Sequence, residues 1–300
     1  MTAMNKSVPR SVKDYLDQLR DALSGADPAL IQDALYDAEE YLRGELAEHP
    51  EQSEEQVLAA ISTSYGAPDE VAEAYRATEV KVQAALRTPR PKRGSSALGR
   101  FFGVLADPRA YTSLFYVMLM MFTGLFYFIW IVTGTALSFG LMPLIIGIPF
   151  FLLFLGSVRM LSLVEGRIVE TFLGVRMPRR PPHPGAHTPL LTHVKELLVD
   201  GRTWSTMLYM LMQFFLGIIY FVFTLAWLLI SLSLILAPLE VVLGGSLWLD
   251  LDGPVYISLP FTPILVGFGL LLLISLMHLV KGIGFLQGNL AKNLLVRVDA

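Results

Sequence analysis

The chain of 300 residues is 54% hydrophobic and 16% charged, with a mean hydropathy of +0.55. Soluble domains carry about 25% charged residues, so this composition argues against a wholly soluble protein. Residues 1–86 hold 7 Lys and Arg against 17 Asp and Glu, whereas residues 87–300 hold 16 against 9, which predicts two domains of opposite charge. The absence of cysteine excludes disulfides, thiolate catalysis and cysteine-ligated zinc.

Residues 1–86 are predicted to form a small acidic domain of four amphipathic helices. Apolar residues recur at helical spacing, Asp27-Pro28 has the form of an N-cap followed by proline, and Ser53 to Gln56 has the form of a capping box. This domain is expected to present either a solvated acidic surface or a docking surface for a basic partner, the chain's own basic loops included. The acidic residues concerned are Asp33, Asp37, Glu39, Glu40, Glu45 and Glu48.

Two segments are predicted to lack regular structure. Residues 87–106 form a basic linker rich in Pro, Gly and Ser, which is expected to keep the acidic domain mobile near anionic headgroups. Residues 178–199 form a proline-rich cytoplasmic loop that carries three histidines. Metal binding by these histidines is one interpretation and a solvated loop is the preferred one, because nothing regular fixes their positions. They are His183, His187 and His193.

Four membrane spans are predicted from the uncharged segments. The 49 residues from Ala110 to Val158 contain no Asp, Glu, Lys or Arg, and one span needs roughly 20 apolar residues, so this run holds two spans. Pro143 is expected in the first turn of the second helix, where its missing N–H costs nothing. The predicted spans are Leu114–Leu137, Pro143–Leu161, Thr206–Leu236 and Pro260–Leu279.

Lysine and arginine predict the orientation. They occur before the first span, in the middle loop and after the fourth span, but not in the outer loop at residues 237–259, which holds Glu240, Asp250 and Asp252. Because basic residues favour the cytoplasmic side, both termini are expected to be cytoplasmic.

The two predicted hairpins, residues 107–177 and 200–300, resemble each other. Tyr116 pairs with Tyr209 at a common offset, and Gly124 pairs with Gly217. Each hairpin opens with an Asp-x-Arg motif and an aromatic residue. The preferred interpretation is an interfacial helix start, in which Asp caps the helix, Arg meets lipid phosphates and the aromatic ring lies among headgroups; the alternative is a ligand site. The motifs are Asp107, Arg109 and Tyr111, and Asp200, Arg202 and Trp204.

Ionisable residues near the spans are further candidate functional residues. Glu165 is expected to make an ion pair with Arg167 or Arg159 at the inner end of the second span, and His278 and Lys281 are expected at the end of the fourth. None is expected at the bilayer centre, which argues against transport. No catalytic, cofactor-binding or metal-binding residue is predicted.

Parts of the sequence resemble two known families. The segments Tyr15–Leu23, Tyr36–Leu42, Ser53–Val57 and Tyr65–Ala72 resemble the HAAS-type helical signalling domain. The repeated hairpins, with Pro-Leu-Ile-Ile-Gly-Ile-Pro in the second span, resemble the sensor-type transmembrane domain that bacteria use alone or ahead of histidine kinases. The resemblance implies a protein of the bacterial inner membrane and carries over no catalytic residue.

The expected fold is all-α, with a small cytoplasmic helical bundle joined to a four-helix transmembrane region of two repeated hairpins. The expected function is that of a non-enzymatic sensor, which relays a membrane or extracytoplasmic stimulus to a cytosolic regulator or kinase through its N-terminal domain. The alternative is a small transporter or lipid-handling protein. The lipid bilayer and a second copy of the chain are expected partners, and nucleic acid and cofactors are not.

Overall fold

The computed structural model describes residues 9–86, 96–144, 146–180, 201–243 and 259–296. Within these ranges the regular structure is entirely helical, which confirms the all-α prediction. The histidine loop, Asp200 and most of the predicted outer loop lie outside the described residues.

The acidic domain consists of four helices with a core of its own. They are α1 (Val12–Ala22), α2 (Pro28–Glu48), α3 (Glu54–Ser64) and α4 (Pro68–Leu86). The Asp27 cap and the Ser53–Gln56 capping box form as predicted, because both side chains accept N–H groups that the first helical turn leaves without partners. Tyr15, Leu19, Leu42 and Leu58 are fully or almost fully buried between the helices.

Part of the predicted linker is helical. Helix α5 (Ala97–Phe102), capped by Ser96, runs into a 3₁₀ turn at Gly103–Ala106. Val104 of this turn packs against Ile274 and Val280 in the membrane region, and this contact explains why these residues are ordered. The linker prediction therefore fails for residues 97–106, and residues 87–95 lie outside the described part.

Four long apolar helices follow, each with the length and composition to cross a membrane. They are α6 (Pro108–Gly140), α7 (Gly147–Leu173), α8 (Gly201–Val242) and α9 (Thr262–Leu295). Large apolar side chains such as Phe115, Phe122, Leu153 and Phe215 are exposed on their outer faces, as expected where lipid is the solvent.

The helix boundaries differ from the predicted spans. Pro143 lies in a turn before α7, so its expected place in the first turn of that helix is wrong. The helix α8 continues through Pro238 to Val242, into the predicted outer loop. Helices α7 and α9 run on past the predicted ends, to Leu173 and Leu295, because their last turns pack against other residues of the bundle. An apolar run in the sequence predicts the part of a helix that lies within lipid. It does not predict how far the helix continues beyond the lipid.

The repeated glycines mark the crossing of α6 and α8. A Cβ added to Gly124 would lie 2.8 Å from the carbonyl oxygen of Gln213, and one added to Gly217 would lie 2.8 Å from that of Met120. These two contacts are equivalent under the repeat, so the crossing has approximate twofold symmetry, as the sequence pattern predicts. Glycine lets the two backbones touch here, as small residues do in many membrane helix pairs.

The starts of α6 and α8 and the ends of α7 and α9 lie at one end of the bundle. Ser205 of α8 donates to the Leu294 carbonyl at the end of α9 at 2.9 Å, and Asp107, the N-cap of α6, pairs with Lys281 in the second half of α9. The acidic domain contacts this end through Asp33 and Arg176. We call it the domain-facing end.

Candidate functional site

Arg176 lies at the junction between the acidic domain and the membrane region. Helix α7 ends at Leu173, and Gly174 follows in the left-handed conformation with a φ of 67°, which favours glycine. The chain then runs in non-helical form to residue 180. This turn directs the Arg176 side chain towards the acidic domain, where it is only 8% exposed.

Three carboxylates surround Arg176. Its Nη2 donates to Asp33 at 2.9 Å, its Nε donates to Glu79 at 3.2 Å, and its Nη1 lies 3.5 Å from Glu170. Asp33 belongs to α2, Glu79 to α4 and Glu170 to α7, so one guanidinium joins the two regions. We call these four residues the Arg176 latch.

Asp33 also binds the backbone of the segment that carries Arg176. Its second oxygen accepts the backbone N–H groups of Arg179 at 2.6 Å and Arg180 at 2.8 Å. Burial is the largest influence on Asp33 and raises its pKa, against the lowering effect of these two N–H groups and of Arg176. Keeping the buried Asp33 carboxylate ionised therefore costs desolvation free energy, as is common for buried ion pairs. Of the two interpretations of the acidic residues, the solvated surface does not hold for Asp33, which is buried against Arg176.

Arg176 remains charged in this setting. Burial alone would lower its pKa, but the attraction of Asp33 and Glu79 outweighs burial and raises the pKa above the ordinary arginine value. A planar guanidinium can meet several carboxylates at once, which a lysine ammonium cannot do with the same geometry.

Further polar contacts surround the latch. Gln32 donates to the Arg180 carbonyl at 2.6 Å and accepts from Arg202 at 2.8 Å. Lys292 of α9 pairs with Asp27 at 2.5 Å. The hydrophobic core of the acidic domain and that of the membrane bundle share no residue among those described. Polar contacts thus dominate the junction.

A second cluster lies inside the membrane bundle, around Glu165 of α7. Its carboxylate is fully buried and accepts four hydrogen bonds. Tyr116 of α6 and Tyr209 of α8 donate to Oε1 at 3.2 and 3.1 Å, Gln213 of α8 donates to the same oxygen at 2.9 Å, and Tyr127 of α6 donates to Oε2 at 3.1 Å. We call these five residues the Glu165 cage.

The cage ties three helices together without a cation. Four donors are about as many as a carboxylate accepts, and they offset the cost of burying its charge in a low-dielectric bundle. The expected ion pair of Glu165 with Arg159 or Arg167 is therefore wrong. Arg167 instead pairs with Glu170, and Arg159 donates to Thr203 at 3.3 Å.

The cage is not duplicated in the second hairpin. The spacing that separates Gly166 from Gly288 and Val158 from Val280 also separates Glu165 from Gln287. Gln287 is buried in α9 like Glu165 in α7, but it is uncharged. At this position of the repeat the bundle therefore holds one buried carboxyl group where full symmetry would give two.

Of the other predicted candidates, some lie at the starts of α6 and α8 and two lie within α9. Asp107 caps α6 through the N–H of Arg109 at 3.0 Å and pairs with Lys281, and the Tyr111 hydroxyl donates to the Leu105 carbonyl at 2.8 Å. Trp204 is largely exposed. His278 contacts the Phe101 carbonyl at 3.0 Å. His278 and Lys281 lie in the middle of α9 and not at its end, because that helix continues to Leu295.

Sequence reasoning did not connect the members of either cluster. Tyr116 and Tyr209 were recognisable as a repeat pair, and Glu165 as the first acidic residue after the uncharged run from Ala110 to Val158. A lone carboxylate with tyrosines at repeated positions on other spans is a signal for a buried polar cluster. The pairing of Arg176 with Asp33 joins residues 143 positions apart, and no local pattern indicates it.

Among the residues described, no group of three or more His, Asp or Glu side chains is arranged to hold a metal ion. The clusters also contain no serine, cysteine or histidine beside an acid in a nucleophilic arrangement. Their chemistry is that of charge burial and hydrogen bonding.

Comparisons with known proteins agree with this architecture. A family model described as HAAS matches residues 14–74, which lie within the acidic domain, and the Sensor model, described as "Putative sensor", matches residues 116–295, which include most of α6 and all of α7, α8 and α9. No curated protein and no solved structure matches the chain. Because the second match covers more than half of the chain, this membrane protein belongs to the Sensor family and carries a HAAS domain at its N-terminus.

Proposed function

We propose that the chain relays a change in its membrane helices to a cytosolic partner by releasing its N-terminal HAAS domain. The Arg176 latch carries the proposal, because it is a contact between the two regions made of buried charges. Such a contact has two discrete states, closed with the charges paired and open with the charges in water.

A short physical route leads from the bundle to the latch. Glu165 and Glu170 lie on the same helix, α7, about 7.5 Å apart along its axis at 1.5 Å per residue. Glu165 is held by α6 and α8, whereas Glu170 contacts Arg176 and Arg179. A rotation or shift of α7 that follows a change in the Glu165 cage would therefore move a member of the latch.

The charge distribution supports a cytoplasmic position for the HAAS domain. In the described part of the membrane region, the arginines and lysines lie towards the domain-facing end, among them Arg167, Arg179, Arg202 and Lys292. Basic residues favour the cytoplasmic side, so both termini are assigned to the cytoplasm of a bacterial cell. The proposed partner is a regulator or kinase, and the chain itself carries out no catalytic step.

Transport is a second candidate function, and the buried Glu165 favours it. A carboxylate inside a membrane bundle is by default a candidate for ion or proton handling. The cage argues for a static role, because all four neighbours donate hydrogen bonds to the Glu165 carboxylate. Liposomes that show no movement of protons or solutes beyond that seen with Glu165→Gln would remove this candidate.

The relay is tested by energy transfer within the full-length chain in nanodiscs. The sequence has no cysteine, so Glu40→Cys on the exposed face of α2 and Asn293→Cys on α9 provide two unique labelling sites. Disruption of the cage by Glu165→Gln is expected to lower the transfer between these labels, because α7 moves and the latch opens. The matched control is Gly156→Ala on α7, where an added Cβ meets open space.

The milder Tyr127→Phe variant removes one cage donor. It replaces Glu165→Gln in the energy-transfer experiment if that variant does not fold. Unchanged transfer in both variants, with helical content and monodispersity preserved, would show that the bundle and the HAAS domain are uncoupled, and the proposed function would then be wrong.

A further inference from the structure

The acidic surface that faces the membrane region binds a short segment of the same chain. It is formed by Gln32, Asp33, Tyr36 and Asp37 of α2 together with Glu79 of α4, and we call it the acidic face. Residues 176–180 of the same chain occupy it.

Two arginine side chains of this stretch contact the acidic face. Arg176 enters between Asp33 and Glu79, as described above. Arg180 lies against the half-buried Asp37, with Nε 2.8 Å from Oδ1, and its guanidinium lies over the Tyr36 ring at 5.6 Å from the centroid. Guanidinium groups stack on aromatic rings and pair with carboxylates better than ammonium groups do.

The remaining contacts are hydrogen bonds to the backbone of residues 179 and 180. Asp33 accepts two consecutive N–H groups, and Gln32 donates to the Arg180 carbonyl. A helix could not offer these groups, because its interior N–H and C=O groups are bonded to each other. The acidic face therefore selects a non-helical segment with arginines four positions apart.

The side chain of Met177, which follows the first arginine, does not contact the acidic face. Met177 is fully buried, but it packs in the core of the membrane bundle with Val169 and Leu295. Its side chain anchors the stretch to the bundle, and the acidic face takes up only the arginines and the backbone. The pattern that the acidic face recognises is thus Arg-x-x-x-Arg, in which the residue before the second arginine must supply a backbone N–H to Asp33 and so cannot be proline.

We infer that the acidic face is a recognition site for an extended Arg-x-x-x-Arg segment of a partner protein, and that residues 176–180 occupy this site while the domain is docked. The inference rests on the proposed release of the HAAS domain, and it names the chemistry of the partner. The chain's own segment then blocks the site in the docked state, and opening of the latch exposes it.

The probe for this site is a fluorescent peptide with the sequence of residues 174–181, added to the full-length chain in nanodiscs. The Arg176→Ala/Arg180→Ala variant removes the internal competitor, because it keeps the acidic face and deletes both arginines that fill it. Binding of the peptide to this variant is expected to be at least about tenfold tighter than to the unmodified chain, where the tethered segment competes at high effective concentration.

Substitutions on both sides of the contact give the matched controls. Asp33→Asn in the opened variant is expected to weaken peptide binding about tenfold, since a charge-assisted hydrogen bond is lost. Asp17→Asn, on the exposed face of α1, is expected to change nothing. A peptide with lysine at both arginine positions is expected to bind more weakly than the arginine peptide, and a peptide with alanine there is expected not to bind.

Three outcomes would overturn the inference, and they differ in what they say about the proposed function. If the energy-transfer pair shows the domain still docked in the opened variant, both proposals are wrong. If the domain is released and the arginine peptide binds no better than the alanine peptide, the inference alone is wrong. If opened and unmodified chains form mixed dimers that an excess of the peptide disrupts, the acidic face serves self-association and not a partner.

Discussion

The Glu165 cage and the Arg176 latch both bury a charge, but they satisfy it in different ways. The carboxylate in the cage accepts hydrogen bonds from four neutral donors, all within the membrane bundle. The guanidinium in the latch faces three carboxylates, and two of them, Asp33 and Glu79, belong to the acidic domain. The cage holds one region together, whereas the latch joins two.

This difference separates a permanent contact from a reversible one. The groups of the cage have no water to return to when the helices part within lipid, so opening it leaves polar groups unsatisfied. The groups of the latch lie at the edge of the bundle and become hydrated when the domain leaves, which offsets most of their attraction. We therefore expect substitutions in the cage to lower the stability of the bundle in addition to opening the latch, and substitutions in the latch to affect docking alone.

The largest effect is expected for Glu165→Ala. This change removes the acceptor of four hydrogen bonds, and each buried donor left unsatisfied costs about 1–3 kcal/mol, so the bundle is expected to lose about 4 kcal/mol or more. Unfolding in detergent, followed by circular dichroism, measures the loss. The exposed Glu73→Ala in α4 is the control and is expected to have no effect. Equal stability of the two variants would show that the cage contributes nothing to the fold.

A somewhat smaller effect is expected for Gly124→Ala. The added Cβ would lie 2.8 Å from the Gln213 carbonyl oxygen, and a backbone atom cannot move aside without moving α8. Overpacking of this kind costs about 1–3 kcal/mol, and it would also displace Gln213 from Glu165. The same unfolding measurement applies, with Gly267→Ala in α9, where no atom lies within 4 Å, as the control. A variant as stable as the control would contradict the close crossing.

These two sites also show what the sequence could predict. The glycine crossing was predictable, because Gly124 and Gly217 share a position in both hairpins and small residues mark close helix contacts. The HAAS helices were predictable from local signals such as the Ser53–Gln56 box. The partners of Glu165 were not, because they come from two other helices, and the nearest arginines in sequence gave a simpler pairing. The Arg176 latch depends on the docking of two regions, which local sequence does not specify.

A prediction within the cage concerns its two carboxylate oxygens. Tyr127 is the sole described donor to Oε2, whereas Tyr116 shares Oε1 with Tyr209 and Gln213. Tyr127→Phe is therefore expected to cost about 1–2 kcal/mol and Tyr116→Phe less, since the loss of one of three donors is partly compensated. Both are compared by unfolding in detergent. A larger loss of stability for Tyr116→Phe than for Tyr127→Phe would contradict the assignment of one donor to Oε2 and three donors to Oε1.

The smallest effect is expected at the rim of the latch. Arg180 is half exposed and pairs with Asp37, so Arg180→Ala is expected to weaken docking by about 0.5 kcal/mol, the usual value for an exposed pair, and this difference is expected to vanish at 1 M salt. Arg176→Ala is expected to release the domain at any salt concentration, because it leaves Asp33 and Glu79 buried without a cation. Energy transfer between labels at positions 40 and 293, measured across a salt titration, distinguishes the salt dependence of docking in the Arg180→Ala and Arg176→Ala variants. If both variants released the domain equally, exposure would not control the strength of these pairs, and the junction would depend on the total charge of the segment and not on the buried guanidinium.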